Sequence, residues 1–188
     1  MRSMDSARHG GASEKTRTIY CGSFSKTLAA GLRVGYVVAS QSVIRKLVLM
    51  KQAADLHSST INQIAIHRVA STGFDSQVAK LHSVYKHRRD KMLEALAKYM
   101  PEGTDWTKPE GGMFIWVTLP KGMDGAALLA ASIESEKVAF VPGKAFFADG
   151  TGANTLRLSY SCANDEMIDE GIMRLGRLIR THSKSEAA

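Results

Sequence analysis

Gly22-Ser23-Phe24-Ser25-Lys26-Thr27, with Arg33 seven residues beyond the lysine, is the stretch on which the reading of the chain turns. The apolar run Thr18-Ile19-Tyr20-Cys21 ahead of it reads as a strand, so the chain delivers small hydroxyls and one amine just past a strand end. A deprotonated lysine attacks carbonyl carbon and forms a reversible Schiff base, which makes Lys26 a candidate for imine chemistry. The hydroxyls of Ser23, Ser25 or Thr27 and the fork of Arg33 suit a phosphate dianion. Local side-chain-to-backbone bonds in a serine-rich turn are the alternative for the serines, and a helix-start backbone bond is the alternative for Thr27.

Working outward, Arg33-Val34-Gly35-Tyr36-Val37-Val38-Ala39 is nearly continuous in apolar character and reads as a strand covered on both faces. Residues 41–55 show helical spacing through Val43, Ile44, Leu47, Val48 and Ala54. Thr60 or Asn62 is placed to cap a further helix that Gly73 ends, and residues 75–100 form the next, stopped by Pro101. The composition then changes. Residues 106–182 read strand, helix, strand, strand, helix, with Asp124 and Asn164 as helix caps and a last apolar stripe of Met167, Ile168, Ile172, Leu175, Leu178 and Ile179. On the strand Asn154–Ser161, alternation puts Leu156, Leu158 and Tyr160 on one face and Arg157, Ser159 and Ser161 on the other. An arginine placed so either reaches along the surface to solvent or pairs with an anion.

The 188 residues, 44% hydrophobic, suffice for one globular domain or two small lobes. Net charge is +7, and the densest basic run, Lys86-His87-Arg88-Arg89-Asp90-Lys91, lacks interleaved aromatics, so it reads as a solvated helix face and no nucleic acid is expected. Two cysteines provide neither a disulfide framework nor metal-ligand spacing, and Cys21 reads as a small buried hydrophobe. The six histidines show no paired ligand spacing, so no metal is expected. With no apolar run of membrane-spanning length, a cytoplasmic protein is expected. Residues 1–15 read as a mobile lead-in.

An amine beside a phosphate cradle suggests pyridoxal 5′-phosphate (PLP), which joins an aldehyde and a phosphate in one molecule. The segment Ser-Phe-Ser-Lys-Thr-Leu-Ala-Ala-Gly-Leu-Arg-Val-Gly-Tyr (residues 23–36) also resembles the cofactor-lysine segment of fold-type I PLP-dependent aminotransferases. The nearest branch is that of the 2-aminoadipate and kynurenine aminotransferases and the effector domains of MocR-type regulators, which usually has proline where this chain has Ala30. The resemblance implies an α/β chain forming the C-terminal part of the fold-type I PLP-transferase fold: the end of the large domain followed by an α+β small domain. The expected organisation is a flexible lead-in over 1–17, a large-domain remnant over 18–75, a connecting helix over 76–105 and the small domain over 106–188.

The same resemblance assigns roles. Lys26 would hold PLP as a Schiff base and then move a proton at the substrate Cα, a task for a neutral amine that burial and nearby positive charge favour. Ser23, Ser25 and Arg33 would bind the cofactor phosphate, and Arg157 would grip the α-carboxylate of an amino acid. Gly111, Gly112 and Met113-Phe114 resemble a segment near the substrate entrance, with a core position the alternative for Phe114. The implied function is transamination of an α-amino acid with a 2-oxo acid, in a homodimer. In the family, the Asp that pairs with the pyridine nitrogen, a Tyr and an Asn lie further upstream of the lysine than the 25 residues preceding Lys26 here. The expectation is therefore a partial, truncated enzyme. The alternatives are a PLP-sensing domain of a MocR-type regulator and a non-catalytic protein.

Overall fold

The computed structural model describes residues 16–185, so the expected lead-in over residues 1–15 lies outside the described residues. The chain divides into two compact units between Leu81 and His82.

In the first unit, strand β1 (Tyr20–Ser23) pairs antiparallel with β2 (Gly35–Val38), from Tyr20 opposite Val38 to Ser23 opposite Gly35. β1 thus runs two residues further than the apolar run Thr18–Cys21 suggested, and Ser23 is its last residue. Gly22 has a steric reason: a Cβ there would come within 2.3 Å of the Tyr36 ring that lies across it. The expectation of a strand covered on both faces is not met, because Gly35, Tyr36, Val37 and Val38 are all exposed. Cys21 is exposed as well rather than buried. Continuous apolar character records a need for cover, and the described residues do not supply it here.

Helix α1 (Gln41–Ala54) follows, and α2 runs without interruption from Thr60 to Tyr99. Its N-terminus is set by Ser59, whose carbonyl accepts from the Gln63 N–H at 3.1 Å, rather than by Thr60 or Asn62. Gly73 does not end the helix. It lacks the left-handed conformation of a terminating glycine, and Ser76 Oγ donates to its carbonyl at 2.9 Å inside a continuing helix. A mid-helix glycine costs about 1 kcal/mol relative to alanine, too little to break a helix of 40 residues.

The second unit holds a four-stranded antiparallel sheet in the order β3-β4-β6-β5, made of β3 (Asp105–Trp106), β4 (Phe114–Thr118), β5 (Val141–Pro142) and β6 (Thr155–Ser159). Alternation along the central pair is clean. Ile115 and Val117 of β4, with Leu156 and Leu158 of β6 and Tyr160 just beyond, face the core. Met92, Ala95 and Leu96 of α2 cover that face, together with Ile168, Ile172, Leu175, Leu178 and Ile179 of the last helix, α4 (Asp165–Ser185). Each buried Leu, Ile, Val or Met among these contributes about 1.5–3 kcal/mol. Met167, expected in the α4 stripe, is instead 63% exposed. Between β4 and β5, helix α3 (Gly125–Ala131) starts at Asp124, whose carboxylate accepts from the Ala126 and Ala127 N–H groups at 2.7 and 3.0 Å. Asn164 Oδ1 caps α4 by accepting from Met167 N–H at 2.9 Å.

The basic run on α2 is not merely a solvated face. Arg88 donates to the Ser161 carbonyl, Arg89 donates to the carbonyls of Pro109 and Glu110, and His87 bonds Asp165 at the start of α4. These contacts tie the ends of three segments of the second unit to one helix. No helix among the described residues is long and apolar enough to cross a membrane.

Candidate functional site

The lysine segment is a loop closed at its base by the β1–β2 ladder. Beyond the Ser23–Gly35 pair, the Phe24 N–H donates to the Val34 carbonyl at 3.2 Å. Ser25–Ala29 then form a single wide helical turn, in which the Leu28 and Ala29 N–H groups converge on the Phe24 carbonyl at 2.9 and 3.1 Å. Lys26 sits on this turn and is exposed, so the described residues do not supply the burial expected of a proton-moving amine. Phe24 anchors the turn, its ring tilted against Tyr36 at 5.5 Å and edge-on to Phe74 at 6.4 Å.

The hydroxyls and the guanidinium are partly committed to the loop itself. Ser23 Oγ accepts from the Ser25 N–H at 3.1 Å, which leaves its own proton free to be donated. Arg33 adopts a left-handed backbone (φ 54°), and its Nη1 donates to the Ala30 carbonyl at 3.1 Å. The guanidinium has further N–H groups to offer. Thr27 Oγ1 is buried and has no hydrogen-bond partner among the described residues, so the suggested helix-start bond does not form. Asn62 of α2 donates to the Leu32 carbonyl at 3.0 Å and tethers the far side of the loop. The sequence reading missed Tyr20 and Tyr36, whose rings lie 6.0 Å apart beside Gly22. Hydrogen bonding to Tyr20, and next its charge, raise the Tyr36 phenol above its ordinary pKa. The register of the hairpin, which the sequence did not reveal, is what pairs them.

Arg157 belongs to the second unit. It is the central residue of β6, facing Trp116 on one side and Val141 on the other, on the sheet face opposite Leu156 and Leu158. Its guanidinium carbon lies 4.1 Å from the Phe114 ring centroid and 4.8 Å from that of Phe146. Its Nε is buried without a hydrogen-bond partner among the described residues. Phe114 is 37% exposed on this outer face, which removes the core alternative for it. Phe146 was missed. Its signal was the Phe146-Phe147 pair just after the Pro142-Gly143 turn.

The loop donors, an amine with hydroxyls and a guanidinium nearby in sequence, make up the set that an aldehyde and a phosphate require. Residues 2–175 match the family described as aminotransferase class I and II. The chain belongs to that family.

Among its relatives, the chain is 46% identical over 162 residues to the 2-aminoadipate transaminase of Thermus thermophilus, covering 86% of this chain and 41% of that protein. It is 29% identical over 160 residues to NorG, an HTH-type transcriptional regulator of Staphylococcus aureus, covering 85% of this chain and 36% of that one. The crystal structure of LysN, an alpha-aminoadipate aminotransferase of Thermus thermophilus complexed with N-(5′-phosphopyridoxyl)-L-leucine, superposes with a TM-score of 0.89 at 44% identity. That superposition covers 95% of this chain and 45% of the other. The architecture is accordingly part of the fold-type I aminotransferase fold. The chain spans less than half the length of the relatives it matches.

Proposed function

We propose that this aminotransferase chain carries the cofactor-anchoring and carboxylate-gripping residues of a PLP-dependent enzyme that transfers the amino group of an α-amino acid to a 2-oxo acid. The observation that supports the reading is the β1–β2 hairpin, whose segment from Ser23 to Arg33 carries the amine, the hydroxyls and the guanidinium. Lys26 Nζ would hold the cofactor through its aldehyde carbon, the aldehyde oxygen leaving as water. Ser23 and Ser25 would donate hydroxyl hydrogen bonds to the phosphate, and Arg33 would add charge-assisted ones. PLP, when bound, supplies an electron sink for the charge left when a bond to the substrate Cα is broken.

The remaining work falls to the chain's own groups. With PLP in place, Lys26 as a neutral amine would accept the proton from the substrate Cα. Arg157 takes the α-carboxylate by a fork-to-fork pair, which fixes the orientation of Cα. A homodimer in the cytoplasm fits this reading. The match to NorG supports a second one, in which the same fold senses PLP within a regulator. DNA binding by the full-length gene product would favour the regulator, and amino-acid turnover would favour the enzyme.

The test is to mix the chain with PLP, reduce with borohydride and locate the phosphopyridoxyl group by mass spectrometry. Preferential labelling of Lys26, lost in Lys26→Ala and suppressed by inorganic phosphate, is expected. Labelling spread evenly over the lysines would refute the assignment.

A further inference from the structure

Arg157 is held by rings, not by carboxylates. Phe114 and Phe146 both lie within the roughly 6 Å at which an arginine is attracted to an aromatic face. Among the described residues no carboxylate pairs with it. The fold brings one ring to Arg157 from β4 and the other from the turn that follows β5. Trp116 of β4 stands directly opposite Arg157, so Phe114, two residues earlier on the same face, is its diagonal neighbour. Val141 of β5 flanks Arg157 on the other side, and the tight turn Gly143–Phe146 that follows β5 carries Phe146 back over it. Trp116 in turn sits edge-on to Phe146 at 5.6 Å and tilted against Phe147 at 6.0 Å. The guanidinium is thus seated in an aromatic cluster.

The choice of neighbour has a chemical consequence. A carboxylate beside Arg157 would orient it but would consume both its charge and its N–H donors. An aromatic face attracts the cation while accepting none of its in-plane hydrogen bonds. The buried Nε without a partner shows that this donor capacity is unspent. The terminal N–H groups of the same guanidinium also bond nothing among the described residues, and they are the donors open to a planar carboxylate approaching in the guanidinium plane.

We propose that Phe114 and Phe146 are positioning residues for Arg157, holding its guanidinium against their rings so that its N–H edge is presented to the carboxylate of an amino or 2-oxo acid. This rests on the carboxylate-gripping reading of Arg157 given above.

The experiment titrates the full chain with 2-oxoglutarate and follows the Arg157 Nε–H resonance by NMR, assigned by its loss in Arg157→Lys. In the wild type the resonance is protected from exchange with water and shifts on titration. Phe146→Leu and Phe114→Leu keep apolar bulk but remove the ring. Each is expected to weaken binding about five-fold and to expose the Nε–H to exchange. Phe146→Tyr and Phe114→Tyr restore both, which loss of packing alone does not explain. Melting curves accompany each variant; should Phe114→Leu unfold, Phe146→Leu, at a half-exposed position, decides. Leu variants that match the wild type in affinity and exchange overturn the positioning role and leave the Arg157 reading intact. A wild-type Arg157 resonance that ignores 2-oxoglutarate overturns the reading of Arg157, and the positioning role with it.

Discussion

Gly176 of α4 packs directly against the Tyr99 carbonyl at the end of α2: a Cβ at residue 176 would come within 2.3 Å of that oxygen. The same carbonyl accepts from Arg180 Nη1 at 2.7 Å, so it cannot swing aside without losing that bond. Gly176→Ala should destabilise the second unit by about 2 kcal/mol, in the range of other overpacked sites. Gly171→Ala, where a Cβ meets nothing within 4 Å, should be neutral or slightly stabilising. Urea denaturation of the two variants checks this; equal midpoints would refute the close approach.

Asp124 provides a pH-dependent cap. The Ala127 N–H and then the Ala126 N–H hold its carboxyl below the ordinary aspartate value. A lowered folded-state pKa means stability that is present above the unfolded value, about 3.9, and is lost as pH falls through the folded one. Asp124→Ala should cost about 1 kcal/mol at neutral pH, and the difference from wild type should shrink below about pH 4. Thermal melts across that range decide it, and a difference independent of pH would argue against the carboxylate.

Arg33 combines a structural bond to Ala30 with the proposed phosphate role. Arg33→Lys keeps charge but loses the fork. Suppression of Lys26 labelling by inorganic phosphate should need roughly ten-fold more phosphate in Arg33→Ala, with Arg33→Lys intermediate. Unchanged phosphate dependence in both would remove Arg33 from the cradle.

The first unit leaves large apolar side chains in water, among them Leu49 (59% exposed), Met50 (68%), Ile61 (79%) and Ile64 (62%). Exposed apolar surface favours association. Light scattering of the chain alone should show concentration-dependent self-association, reduced in Leu49→Lys/Met50→Lys. A monomer at all concentrations would contradict this.

The second unit was the more legible from sequence. Its alternation around Leu156, Leu158 and Tyr160, and its caps at Asp124 and Asn164, are local signals that a covered core makes true. The first unit misled at Cys21 and at residues 35–38, because apolar character predicts burial only where something packs on it. Gly73 misled because a glycine signals a helix end only when the backbone turns left-handed there. The candidate site divided the same way. Lys26, Ser23, Ser25 and Arg33 cluster in sequence and were visible together, whereas the rings around Arg157 come from segments more than thirty residues before and about ten before it, which only the sheet order joins.

The hairpin that bears Lys26 has a kinetic consequence. Its ladder and the turn between are built from residues 20–38, whereas β4 must find β6 across a long intervening segment, as in Phe114 opposite Ser159. Hairpins close in about 1–10 μs, and pairings distant in sequence form more slowly. The lysine turn is therefore assembled early, as a marginal structure of its own. The bond from Asn62 to Leu32 and the contact of Phe24 with Phe74 then latch it to the helix formed later.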